Sequence, residues 1–156
     1  MESKWRTFSL PARFLVVRGL FKIYATEHNL LSWTLEFDRA QTRCGVTRYA
    51  ISRIQLSRIF IGSATTTFAQ VKNILLHEIA HALTPGAKHG ARWVRKAVSI
   101  GCDGKRCGAA FATPRWTLGC SKGCYKRRRF IRTKLNPHRV CAKCRGALEY
   151  YRSIKV

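Results

Sequence analysis

Between Pro11 and Leu31, the apolar residues Val16, Val17, Leu20, Phe21 and Tyr24 recur at helical intervals, and Pro11 sits near the start, where a missing N–H costs little. This predicts a long amphipathic helix. Trp33, Leu35 and Phe37 then alternate with Thr34, Glu36 and Asp38. After a turn at Cys44-Gly45, Tyr49, Ile51, Ile54 and Leu56 stand among polar residues, which predicts a small antiparallel sheet. Val71 to Leu83 reads as a strongly apolar helix stopped by Thr84-Pro85-Gly86, and Ala91 to Ile100 as a helix closed by Gly101 at its C-terminal cap. The fold class is α+β. No apolar run approaches the roughly 18 residues of a membrane span, and Phe14 to Val17 is too short for the core of a secretory signal.

Composition changes the picture through charge. The 156 residues carry 30 Lys or Arg against 7 Asp or Glu, a net charge of +23. Such an excess favours a polyanionic partner, because phosphates neutralised by Lys or Arg release counterions, and no amphipathic Lys-rich membrane helix is evident. The charge is unevenly placed. From Pro114 onward thirteen basic residues face the single acid Glu149, so residues 1–113 are expected to form one domain and residues 114–156 a basic module. Seven cysteines, an odd number with short-spaced pairs late in the chain, point to metal ligation in a reducing compartment.

The chemistry concentrates in His77-Glu78-Ile79-Ala80-His81. Two histidines four apart project from one helical face and can grip one zinc ion, with Glu78 beside them in reach of a water. Zinc held in this way activates water and polarises a carbonyl, and a neighbouring carboxylate can take the proton, which together suit amide hydrolysis. His89 is placed to supply a third ligand, since the Pro85-Gly86 break reverses the chain and Gly90 lets the backbone pass close. A charged Glu78 among Leu, Ile and Ala would be costly to bury without a metal or partner. His28 and His138 lack such company and read as surface residues.

Cys120-x3-Cys124 and Cys141-x2-Cys144 have the two-knuckle arrangement of a zinc ribbon, a closed structural site whose metal supplies folding energy to a small module. Cys102-x4-Cys107 is a competing pair, either member of which could replace Cys120 or Cys124. Cys44 reads as a small buried residue. Lys126, Arg127, Arg128, Arg129 and Arg132 lie close in sequence to Trp116 and Tyr125. Basic residues interleaved with aromatics suit single-stranded nucleic acid, with charge following the backbone and rings stacking on bases, and with little sequence specificity.

With these residues in view, the chain resembles the SprT-like (Spartan-related) zinc metalloproteases. The resemblance rests on Trp33 to Gly45, the strand ending Gln55-Leu56-Ser57, the helix Leu75 to Leu83 and the return His89-Gly90-Ala91-Arg92-Trp93. The layout is closest to compact bacterial or phage-encoded members. The resemblance implies a small zincin-like domain followed by a ribbon. It gives His77, His81 and His89 as ligands of a catalytic zinc, Glu78 as the catalytic residue, and a second, structural zinc. The implied function is an endopeptidase that binds DNA and cleaves DNA-bound or DNA-crosslinked proteins, in the cytoplasm or nucleoid of a bacterial or phage-infected host, or in a eukaryotic nucleus. Two other readings compete: an ImmA/IrrE-like peptidase acting on one repressor, and a non-enzymatic zinc-dependent nucleic-acid-binding protein.

Overall fold

The computed structural model describes residues 1–106, 116–129, 132–136 and 138–152. The chain divides into two compact units, Met1–Phe111 and Ala112–Val156. Cys107 and the expected boundary at 113/114 lie outside the described residues.

The first unit runs α1 (Glu2–Trp5), α2 (Leu10–Glu27), β1 (Thr34–Asp38), β2 (Gly45–Arg48), a 3-10 turn (Tyr49–Ile51), β3 (Arg53–Ser57), α3 (Arg58–Gly62), α4 (Phe68–Leu83) and α5 (Ala91–Ser99). α2 starts where expected, with Ser9 capping the Ala12 N–H, but ends at Glu27 rather than Leu31. There Asn29 takes a left-handed conformation (φ 54°) and the Leu30 N–H turns back to the Ala25 carbonyl at 2.8 Å. The strand order is β1-β3-β2. β2 and β3 pair antiparallel, as the alternation predicts, whereas β1 lies on the other edge of β3 and runs parallel to it, so the sheet is mixed. Gly45, expected in a turn, instead begins β2 opposite Leu56.

One apolar cluster joins Val17, Phe21 and Ala25 of α2, Leu35, Ile54 and Leu56 of the sheet, and Val71, Ile74, Leu75 and Ile79 of α4. A second joins Leu76 and Ala80 of α4 to Trp93 and Ala97 of α5, with Cys102. α4 is therefore packed on two sides. Its start is fixed by a capping box, with Thr67 accepting from the Gln70 N–H and Gln70 reaching back to Thr67. The rigidity that follows is what a site built on this helix needs.

The second unit is a three-stranded antiparallel sheet, β5 (Lys126–Arg129), β4 (Trp116–Cys120) and β6 (Leu148–Arg152), in that order. Among the described residues, no helix is long and apolar enough to cross a membrane.

Candidate active site and metal centres

Periodicity on α4 sets the first two histidines in place: His77 and His81 lie one turn apart, with ring centroids separated by 5.0 Å. The chain then turns sharply. Thr84 closes the helix by donating its hydroxyl to the Ala80 carbonyl at 2.6 Å, Gly86 takes φ +77°, and the Gly90 N–H reaches the Ala87 carbonyl at 2.9 Å. This turn returns His89 to the helix, as the Pro85-Gly86 break predicted. Its Nε2 stands 3.1 Å from Nε2 of His77 and 3.1 Å from Nε2 of His81. Trp93, fully buried on α5, packs against all three imidazoles at centroid distances of 4.6 to 5.2 Å.

Burial, and then the mutual repulsion of the rings, pushes the pKa of His77 and of His81 down to about 4. His89 is lowered too, by burial and then by the Arg106 charge. At neutral pH all three rings are therefore uncharged, each with a lone pair on one nitrogen. Three neutral imidazoles converging through the same atom form a donor set that a divalent cation satisfies, and nitrogen ligation of this kind suits zinc.

Glu78 is buried beside this cluster, at 6% exposure. It is received by Gly45 and Thr47 of β2 and by Tyr49 at the start of the 3-10 turn that follows. The Thr47 hydroxyl lies 2.8 Å from Glu78 Oε2 and 2.9 Å from the Glu78 carbonyl, so its one proton serves either. Gly45 leaves the space the carboxylate fills: a Cβ there would stand 2.7 Å from both Cγ and Oε1 of Glu78. Tyr49 donates its hydroxyl to the His81 carbonyl at 3.2 Å, and burial together with the Glu78 charge raises its pKa, keeping the phenol neutral. These residues, with Thr42, Arg43, Lys88 and the histidines, line an open cleft of about 590 Å³. Gly45→Ala is accordingly expected to displace Glu78 at a cost of about 1–3 kcal/mol. Activity should fall while the zinc content of the histidine site is kept. Elemental analysis alongside a peptidase assay checks this, and an active Gly45→Ala protein would show that the contact is not constraining.

The matching family pattern covers this whole arrangement. It is that of the SprT-like family, and it matches residues 17–112, from α2 through the sheet, α4, the histidine return and α5. The chain belongs to the SprT-like family. No curated protein matches the chain. Membership gives the SprT-like chain a function of metalloprotease type. The histidines and Glu78 fall within the match, and the late cysteines fall beyond it.

Those cysteines make a second centre. The sulfurs of Cys120, Cys124, Cys141 and Cys144 lie within 4.8 Å of one another. Two tight turns bring them together. In the first, Gly123 takes φ +74° and the Lys122 N–H points at Cys120 Sγ, at 3.4 Å. In the second, Arg145 takes φ 57° and the Gly146 N–H points at Cys144 Sγ, at 3.4 Å. The hydrogen bond from Cys124, then nearby backbone N–H groups, lowers the Cys141 pKa to about 6 and that of Cys144 in the same direction. The same sulfur contacts push Cys124 the other way, chiefly through its hydrogen bond to Cys144, so a proton is shared among sulfurs close enough to take one ion; four converging soft donors of this kind fit zinc. Of the competing pair, Cys102 packs in the first unit among Leu76, Ala80, Trp93 and Ala97.

The basic run does not form one patch in the SprT-like chain, because strand alternation splits it. Trp116 pairs with Arg129 on one side and Arg152 on the other, so these share a face with Arg127; Arg132 and Arg152 lie over the Trp116 ring at 5.7 and 5.9 Å. The opposite face carries Lys126, Arg128 and Tyr151. There the Tyr151 ring lies on Gly119, where a Cβ would come within 2.7 Å of it, and Lys126 stands 5.9 Å from the ring centre. Tyr125 serves the first turn through its carbonyl, which accepts the Cys120 N–H at 2.9 Å. Sequence reasoning missed Gly45, Thr47, Tyr49 and Trp93 as parts of the site. Alternation along β2 was the available signal for Gly45 and Thr47, whereas Tyr49 lies in the 3-10 turn beyond the strand.

Proposed function

We propose that this chain is a zinc-dependent endopeptidase of zincin-like fold that is brought to DNA by its cysteine unit and cleaves DNA-bound or DNA-crosslinked proteins. The observation that carries the peptidase reading is the convergence of three histidine Nε2 atoms beside the buried Glu78 at an open cleft. His77, His81 and His89 would hold the ion. When bound, zinc supplies Lewis acidity toward the scissile carbonyl and the attacking water. Glu78 takes the proton of that water and delivers it to the departing amide nitrogen. Thr47 steadies the carboxylate by donating to Oε2, and Gly45 lets it sit against β2. An open cleft of this kind admits an extended polypeptide, and Arg43 and Lys88 are among the residues that line it.

The DNA reading draws support from the +23 charge and from two aromatic platforms flanked by cations, Trp116 and Tyr151. Cytoplasmic, nucleoid or nuclear placement would follow from that partner. The test compares the parent with two double variants, Arg127→Ala/Arg129→Ala and Lys126→Ala/Arg128→Ala. Binding to single-stranded DNA and cleavage of a DNA-bound protein are followed together as salt is raised. On single strands the slope of log affinity against log salt is about −0.7 per neutralised phosphate, so the variant on the binding face should flatten it by up to about 1.4 and lose cleavage in parallel. The other face should be nearly silent. Cleavage indifferent to DNA in all three proteins would favour a dedicated repressor peptidase, and DNA binding with no cleavage a non-enzymatic protein.

A further inference from the structure

The first unit carries its own concentration of arginine, outside both metal centres. Phe14 and Arg18 lie one turn apart on α2 and so share a face. Phe37 of β1 stacks on Phe14, with ring centroids 4.4 Å apart and planes 23° from parallel. Each ring also carries a guanidinium: Arg18 lies over Phe37 at 5.1 Å, and Arg58, the first residue of α3, lies over Phe14 at 5.4 Å. Two open grooves meet at Arg58. One, of about 360 Å³, runs past Phe14, Arg18 and Phe37, and the other, of about 660 Å³, past Leu10, Arg39 and Gln41.

Arg18, Arg39 and Arg58 are exposed, whereas the two rings are half-buried. Among the described residues no ion pair involves any of the three. The neighbouring acids are already engaged. Glu36 holds Arg53 at 3.0 Å and accepts from the Gln55 amide at 3.3 Å, and Asp38 holds Arg43. Arg18 gives one N–H to the Leu35 carbonyl at 3.2 Å. A guanidinium over a ring spends its face on the ring and keeps its in-plane N–H groups for an oxyanion, and two of them side by side match a phosphate.

We propose that Arg18, Arg39 and Arg58 form a contact surface for the phosphate backbone of duplex DNA. The rings are spent on each other and on the guanidiniums, so the surface offers charge rather than a base-stacking face. A duplex keeps its bases stacked and turns its phosphates outward, and it is the polyanion that such a surface fits. The loop after β1 runs from this surface to the cleft: Arg39 and Gln41 line the groove, and Thr42 and Arg43 line the cleft. A duplex held here lies beside the cleft on the same unit. The inference rests on the DNA reading above, because three arginines make a weak grip alone and add to that of the cysteine unit.

The test titrates the full chain with a short blunt duplex of mixed sequence as salt is raised. At about 0.9 in slope per neutralised phosphate on B-form DNA, Arg18→Gln/Arg58→Gln should flatten log affinity against log salt by up to about 1.8, and Arg39→Gln by up to about 0.9. Arg39 stands outside the stack, so its variant tests the surface even if the double change costs stability. Arg92→Gln/Arg95→Gln removes the same charge from exposed positions on α5 and should leave the slope at the parent value. An unchanged slope in both surface variants, or an equal flattening in the α5 variant, would overturn the proposal. So would surface variants that keep their duplex affinity but lose binding to phosphatidylserine-containing vesicles, which would make the partner a membrane. A parent that binds neither duplex nor single strand removes the DNA reading altogether. Duplex binding indifferent to Arg18, Arg39 and Arg58, with single-strand binding still dependent on the β5 cations, removes this surface alone.

Discussion

Replacing Glu78 by Gln should lower kcat on a protein substrate by about 10²- to 10⁴-fold, the range a positioned proton acceptor contributes, and leave zinc at the histidine site. The argument rests on shape. Gln keeps the length and planarity of the side chain, so it fits the space that Gly45 leaves open, and its oxygen can still accept from Thr47. What it loses is the capacity to accept a proton from water. No cavity is created and no charge is left unpaired in the buried position, so the fold should melt at or above the parent temperature. The measurement pairs steady-state kinetics with elemental analysis: kcat should collapse, KM should change little, and zinc per chain should be constant. A Gln variant that cleaves at near the parental rate would remove Glu78 from the mechanism. One that loses both zinc and activity would recast it as a ligand or a structural residue.

The chemistry of this site was legible because it is local. His77, Glu78 and His81 share two turns of one helix, and the break that returns His89 is written as Pro85-Gly86, so spacing alone brings three nitrogens together. The surrounding support is not local. The Glu78 pocket is built by residues about thirty positions upstream, on β2 and the 3-10 turn after it, and alternation at 45 and 47 says which residues share a face without saying what that face meets. The direction of β1 was hidden for the same reason: alternation is identical in parallel and antiparallel pairs, and only the register of β1 against β3, Thr34 with Arg53 through Asp38 with Ser57, reveals it. α1 is a stronger case. Four residues are too few to be helical alone, and α1 is held by contacts across more than sixty residues: Trp5 Nε1 donates to the Thr66 carbonyl at 3.0 Å, and the Glu2 carboxylate accepts the first free N–H groups of α4 from Phe68 and Ala69, each at 3.0 Å. The run Arg127-Arg128-Arg129 reads as one cluster in sequence, but a strand sends neighbours to opposite faces, which divides it.

Cys141→Ser is expected to unfold the second unit while sparing the first. Among its described residues the buried apolar side chains are Leu118, Cys120 and Cys141, far too little to offset the entropy of ordering three strands. The four-sulfur centre has to supply the difference. Structural zinc binding in small peptides contributes about 10–16 kcal/mol at neutral pH, and a serine hydroxyl in place of one thiolate removes much of that. Zinc should fall from two equivalents per chain to one. Amide resonances of residues 116–152 should collapse to unfolded positions, while those of α2, α4 and α5 persist. Function should divide along the same line: hydrolysis of a short unstructured peptide should be retained, because the histidine cluster, Glu78 and the cleft all lie within the first unit, whereas cleavage of a DNA-bound protein should be lost with DNA affinity. A Cys141→Ser protein that keeps two zinc ions and a folded β4–β6 sheet would show that the cysteines do not hold this unit together. Loss of peptide hydrolysis along with the ribbon would instead make the cysteine unit part of the catalytic apparatus rather than its means of reaching DNA.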